Sequence, residues 1–198
     1  MNKNYFVNFV FILLATRINA QKAEVGITFS ALSDNSIARF RNDYISDSGT
    51  DAGKSYSFGI TYLKPLNKWL EVETGIEFLQ SKASIHSIVS TTSGVITVFR
   101  DGTVSLLNVP LCVRANFWKY CFVNGGVVLD IDVSSNSPVQ TQTGLGSQLG
   151  FGLKYDFETG ASLFVNPYMK IHSFPLSFQT NQEHLFESAV RFGVSYKL

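Results

Sequence analysis

A period-two alternation of apolar and polar residues recurs along the chain, and it restricts the possible folds more tightly than any other feature. A strand sends successive side chains to opposite faces, so each such segment has one apolar and one polar side. The C-terminal segment is clearest. Phe186, Ser188, Val190, Phe192, Val194, Tyr196 and Leu198 alternate there with Glu187, Ala189, Arg191, Gly193, Ser195 and Lys197. The pattern returns in seven earlier segments, at 25–30, 56–62, 70–78, 107–116, 123–132, 148–156 and 163–172. Eight segments of about ten residues have the length of tilted strands that cross a bilayer.

Alternation alone does not say which face points outward, because a soluble lipocalin-like barrel alternates too. The connections separate the two cases. Short turns are expected at Pro65-Leu66-Asn67-Lys68, Phe117-Trp118-Lys119 and Glu158-Thr159-Gly160, and long polar loops near 34–53, 82–104, 133–146 and 173–183. Short and long connections alternate strictly, as the periplasmic turns and external loops of outer-membrane barrels do. Trp69, Phe117, Trp118 and Tyr120 gather at the short-turn end, where an interfacial aromatic girdle belongs. The competing reading makes them core residues of a sandwich. The expected fold is therefore all-β: an eight-stranded antiparallel up-and-down transmembrane β-barrel. Three details fit it less well. Pro110 and Pro167 fall within proposed strands and should mark bulges or strand ends, since proline cannot donate to the ladder. Asp101-Gly102 reads as a bulge or small hairpin in a strand extension above the membrane.

Composition supports a lipid-facing wall. Charged residues make up 16% of the chain, against about 25% in ordinary soluble domains, and aromatics reach 14%. Residues 1–20 read as a signal peptide and 21–198 as the barrel domain. Lys3 supplies the positive start, Tyr5 to Ala15 the short apolar run, and Ile18-Asn19-Ala20 the small-residue site cleaved between Ala20 and Gln21. A retained anchor or a buried strand is the alternative for that segment. Without Lys3 and Arg17, 14 of the 16 basic residues face 15 acidic ones. That balance lacks the basic face of a nucleic-acid binder. No stretch is long and apolar enough for a transmembrane helix. Cys112 lies on the polar face of one strand and Cys121 on the apolar face of the next, so both are expected to stay reduced.

The stretches Ile18-Asn19-Ala20-Gln21, Leu107-Asn108-Val109-Pro110-Leu111, Leu149-Gly150-Phe151-Gly152-Leu153 and Val190-Arg191-Phe192-Gly193-Val194-Ser195-Tyr196-Lys197-Leu198 resemble the outer-membrane β-barrel domain family, a small porin-like group common in Bacteroidota. The resemblance implies an integral location in the outer membrane of a Gram-negative bacterium, surrounding lipid as partner, and assembly by the barrel-insertion machinery. Leu198 stands where that family favours a terminal aromatic. The family shares no single activity, so the resemblance leaves function open.

The polar face is rich in Gly, Ser, Thr and Asn, which suits the cramped lumen of a small barrel. Glu71, Glu73, Glu77, Asp130 and Asp132 share that face with Arg114, Lys154, Lys170 and Arg191. Buried charges persist only when paired, so these nine are expected to form a lumenal ion-pair plug. The alternative is a small pore in which they select ions. His86, His172 and His184 show no metal-ligand spacing, and no cofactor is expected. Ser87 beside His86 and Ser173 beside His172 could suit a lipid-modifying barrel enzyme, but neighbours on a strand point to opposite faces. The expectation is a non-enzymatic barrel with a filled lumen, structural or acting through loops that bind an external ligand. Arg39, Arg41, Asp43, Tyr44, Asp47 and Asp51 give the first loop a mixed polar surface. A soluble exported lipid-binding barrel remains the further alternative.

Overall fold

A computed structural model describes residues 22–39, 50–91, 94–135, 137, 141–173 and 183–198. The signal peptide with Ala20 and Gln21, and residues 40–49 and 174–182 of the expected loops, lie outside the described residues. Eight antiparallel strands close in chain order: β1 (Glu24–Arg39), β2 (Thr50–Pro65), β3 (Leu70–Thr91), β4 (Gly94–Phe117), β5 (Cys121–Asp132), β6 (Gly144–Asp156), β7 (Ala161–Ile171) and β8 (Glu183–Lys197). β8 pairs back onto β1, from Glu24↔Lys197 to Arg39↔Glu183, and removes the last free edge. A sheet inside hydrocarbon needs that closure, because nothing else there can satisfy an edge.

The two faces have the polarity the alternation predicts, turned inside out relative to a soluble protein. Glu73, Glu77, Arg114, Asp130, Lys170 and Arg191 are buried, whereas Phe58, Ile76, Leu111, Val127, Phe151 and Val194 are exposed. Such a wall is stable only against lipid. A soluble lipid-binding barrel needs the reverse, so that alternative is set aside.

The short turns fall where expected, at Leu66–Trp69, Trp118–Tyr120 and Phe157–Gly160. In the first, Asn67 Oδ1 accepts from the backbone N–H groups of Trp69 and Leu70, at 2.9 Å each, an Asx turn. Trp69, Phe117, Trp118 and Tyr120 are all exposed there. Tyr155 joins them by stacking on Tyr120 at 5.8 Å between ring centroids. Cys112 and Cys121 are free, with Cys112 buried.

The outer end departs from expectation. Residues 82–91 and 94–104, expected in a loop, are strand instead: β3 and β4 run on as a continuous ladder to the pair Thr91↔Gly94. Asp101 and Gly102 sit inside that ladder, opposite Ser84 and Ala83, and make neither turn nor bulge. Similarly β1 extends through 34–39, β2 begins at Thr50, and β6 begins at Gly144. The prolines cause no bulge either. Pro110 pairs with Val128 and Pro167 with Val190 in unbroken register. Across the β6–β7 pair the Phe151 carbonyl faces Pro167, which has no N–H to give. That carbonyl accepts from Asn166 Nδ2 at 2.9 Å instead, so a side chain replaces the missing ladder bond. The register shifts lie elsewhere, between Ala31 and Asp34 in the β1–β8 pair and between Ala52 and Ser55 in the β2–β3 pair.

Two inward-facing phenylalanines each stand opposite a glycine on the neighbouring strand, Phe122↔Gly152 and Phe164↔Gly193. A Cβ placed at Gly193 would fall within the Phe164 ring. Gly193→Ala should therefore destabilise the barrel by about 1–3 kcal/mol, the range for overpacking. Urea unfolding in lipid vesicles measures this, and adding Phe164→Leu should recover part of the loss.

Candidate functional site in the barrel lumen

The strand register stacks the inward side chains in layers from the short-turn end outward. At the mouth Lys154 Nζ lies 2.8 Å from Glu24 Oε1 and 3.4 Å from Asp156 Oδ1, while Lys197 pairs with Asp156 at 3.3 Å. Glu24 also accepts from Ser195 Oγ at 2.7 Å. Glu24, Glu71, Lys154, Asp156 and Lys197 line a vestibule of about 380 Å³.

Above the vestibule the Arg114 guanidinium lies 4.1 Å from the Phe122 ring centroid and 4.9 Å from that of Phe164, and the two rings meet edge to face. Cation and rings together form one compact layer. Glu73 then joins two arginines. Its Oε2 accepts from Arg114 Nη2 at 2.9 Å and Nε at 3.2 Å, and its Oε1 lies 2.7 Å from Arg191 Nη2. Asn124 Nδ2 donates to Oε2 at 3.2 Å, and Arg191 Nη2 also donates to Asn166 Oδ1 at 2.7 Å. Glu77 completes the layer, with Arg191 Nη1 at 3.0 Å and Lys170 Nζ on its other oxygen.

The next layer carries a chain of hydrogen bonds and ion contacts across three walls. Tyr168 donates to Glu187 Oε1 at 2.6 Å, His172 Nε2 lies 3.3 Å from Glu187 Oε2, and His172 Nδ1 lies 3.0 Å from Asp130 Oδ2. Leu79, Val104, Leu106 and Leu185 close the outer end as an apolar cluster.

Of the nine residues that the alternation assigns to one network, five meet at the centre: Glu73, Glu77, Arg114, Lys170 and Arg191. The others separate by height along the barrel. Lys154 belongs to the mouth. Asp130 serves the histidine layer. Asp132, near the outer end of β5, accepts from the backbone N–H groups of Ser134 and Gln142 at 2.9 Å each. Glu71 is buried at the mouth without an ion pair among the described residues. Sequence reasoning missed Glu24, Tyr168, His172 and Glu187 as members of these layers. Glu187 and His172 stand on the polar face in sequence, but only the register brings them together. Ser173 breaks the alternation rule used against a serine–histidine pair. Its φ of 54° turns the chain, so His172 and Ser173 are both buried.

A wall that exposes apolar side chains and buries charges has lipid as its solvent, and its aromatic rim marks where that lipid ends. The chain is a small eight-stranded barrel protein of the Gram-negative outer membrane. It is similar in fold to the outer membrane protein AlkL, solved by solid-state NMR in DMPC bilayers. That match has a TM-score of 0.51 and 15% identity over 93% of this chain and 95% of AlkL. The outer membrane protein OprG from Pseudomonas aeruginosa gives a TM-score of 0.46 and 14% identity, over 90% of this chain and 97% of OprG. No protein-family model and no curated protein matches the chain.

Proposed function

We propose that the barrel is a non-conducting, non-enzymatic scaffold that presents a binding or adhesive surface outside the cell. One observation carries the first part. Glu77 on β3 contacts Lys170 on β7, and these strands are four apart in a ring of eight. Side chains from opposite walls thus meet across the full bore, with the Arg114–Phe122–Phe164 layer beneath them. An eight-stranded interior is just wide enough for such filling. Both ring nitrogens of His172 face carboxylates, which favours a structural role over proton transfer to Ser173.

Strand length favours the second part. β3 and β4 have 22 and 24 residues, against 11 in β7, so one hairpin rises far beyond the apolar band. Long paired extensions of this kind suit recognition at the cell surface. In planar lipid bilayers the refolded protein should give no discrete current steps. Steps whose size changes in Glu77→Gln would overturn the closed scaffold in favour of a small pore. Replacing residues 87–98 by an Asn-Gly turn keeps the His86↔Phe99 register. That variant should insert normally, yet cells displaying it should attach less to host or abiotic surfaces. Unchanged attachment would refute the hairpin as the binding surface.

A further inference from the structure

The outward face of β2, β3 and β4 changes chemistry at a single level. Phe58, Phe78 and Leu107 stand side by side in register as the last apolar row. The next row outward is Tyr56, Gln80 and Ser105, where the Tyr56 hydroxyl donates to Gln80 Oε1. Beyond it lie Lys54, Lys82 and Thr103. Lys54 and Lys82 are exposed, and each alternates with buried inward residues, Ser55 on β2 and Ser81 on β3.

The register shift between Ala52 and Ser55 lies at this height. A Cβ on Gly53 would stand 3.0 Å from Lys82 Cβ. The two lysines therefore share one cavity of about 620 Å³ with Tyr56, Gln80 and Thr103. Neither ammonium has an ion pair among the described residues, and the acid further out on β4, Asp101, has an interaction of its own.

We propose that this cavity binds the phosphate group of an outer-leaflet lipid. Two ammonium groups that meet no acid among the described residues, at the edge of the hydrocarbon, match a multiply charged phosphate in the headgroup layer. The site also continues downward into the apolar row of Phe58, Phe78 and Leu107, along which acyl chains can lie while the headgroup stays at the lysines. That continuity selects a lipid over a free anion, for which the apolar wall offers nothing. Lys54 and Lys82 supply the charge, and Tyr56, Gln80 and Thr103 supply neutral hydrogen-bonding groups around it.

Native mass spectrometry of the full folded protein tests the site, with bisphosphorylated lipid A and the same lipid after dephosphorylation as probes. The wild type should retain the phosphorylated lipid preferentially. Lys54→Gln/Lys82→Gln should retain roughly tenfold less, since each ammonium beside an anionic headgroup contributes severalfold. Lys22→Gln at the opposite end should bind as the wild type does. Folding of each variant is checked by its gel shift on boiling. Equal retention of the dephosphorylated lipid, or unchanged retention by the double variant, would overturn the site. Full displacement by millimolar inorganic phosphate would overturn the assignment to lipid.

Discussion

Glu73→Gln should cost the barrel about 3–5 kcal/mol of unfolding free energy, the loss expected when one partner of a buried ion pair is removed. The glutamine keeps the shape but cannot balance the charge that Glu73 holds between Arg114 and Arg191. The two arginines are not left equal. Arg191 still has Glu77 at 3.0 Å, whereas Glu73 is the acid Arg114 meets among the described residues. Arg114→Met in the Glu73→Gln background should therefore recover part of the loss, because a stranded guanidinium costs more than an apolar replacement. Urea unfolding in vesicles, followed by the fluorescence of Trp69 and Trp118, gives the double-mutant cycle. A cost below about 1 kcal/mol, the range of solvent-exposed pairs, would mean that water screens the lumen. The closed-scaffold reading would fail with it.

Strand number, face assignment and short turns were legible because lipid imposes a strict chemical rule on one side of every strand. Phe192, Val194 and Tyr196 against Arg191, Gly193 and Ser195 show the rule at its clearest. Where the strands leave the membrane, the rule lapses. Ser84-Ile85-His86-Ser87-Ile88-Val89-Ser90 has no sustained apolar face, yet its backbone continues the ladder. With no hydrocarbon outside, pairing continues without a hydropathy signature, and the segment reads as a loop.

The lumen was legible as a list of charges but not as layers, because partners depend on register across strands distant in sequence. Glu77 and Lys170 are 93 residues apart, and no local pattern announces their contact. Lys154 shares a face with Lys170 in projection, but it lies near the periplasmic end of a strand running the other way. Phe122 and Phe164 were hidden for a related reason. An aromatic on the polar face looks like a defect until its cross-strand neighbour proves to be Gly152 or Gly193. Only then do the ring and the missing side chain become one packing unit, of the kind by which aromatics cover glycines in sheets.

The wall should reject the charges that the lumen requires. Leu111 is exposed at 57% and stands level with Thr74 and Val127. It lies midway between the girdle residue Phe117 and the last apolar row at Leu107. Leu111→Arg should cost about 2–4 kcal/mol in a bilayer, the penalty for arginine at the midplane. Tyr196→Arg, at the short-turn rim and equally exposed, should cost only about 0–1 kcal/mol, because an interfacial arginine reaches water. The gradient between these sites reports the solvent outside the wall. On a water-facing sheet both changes would be near neutral, and an exposed leucine would gain solubility by becoming arginine. Near-equal, small costs at Leu111 and Tyr196 would place water on the outer wall. A steep gradient, together with the cost of Glu73→Gln inside, would require hydrocarbon outside and compensated charge within.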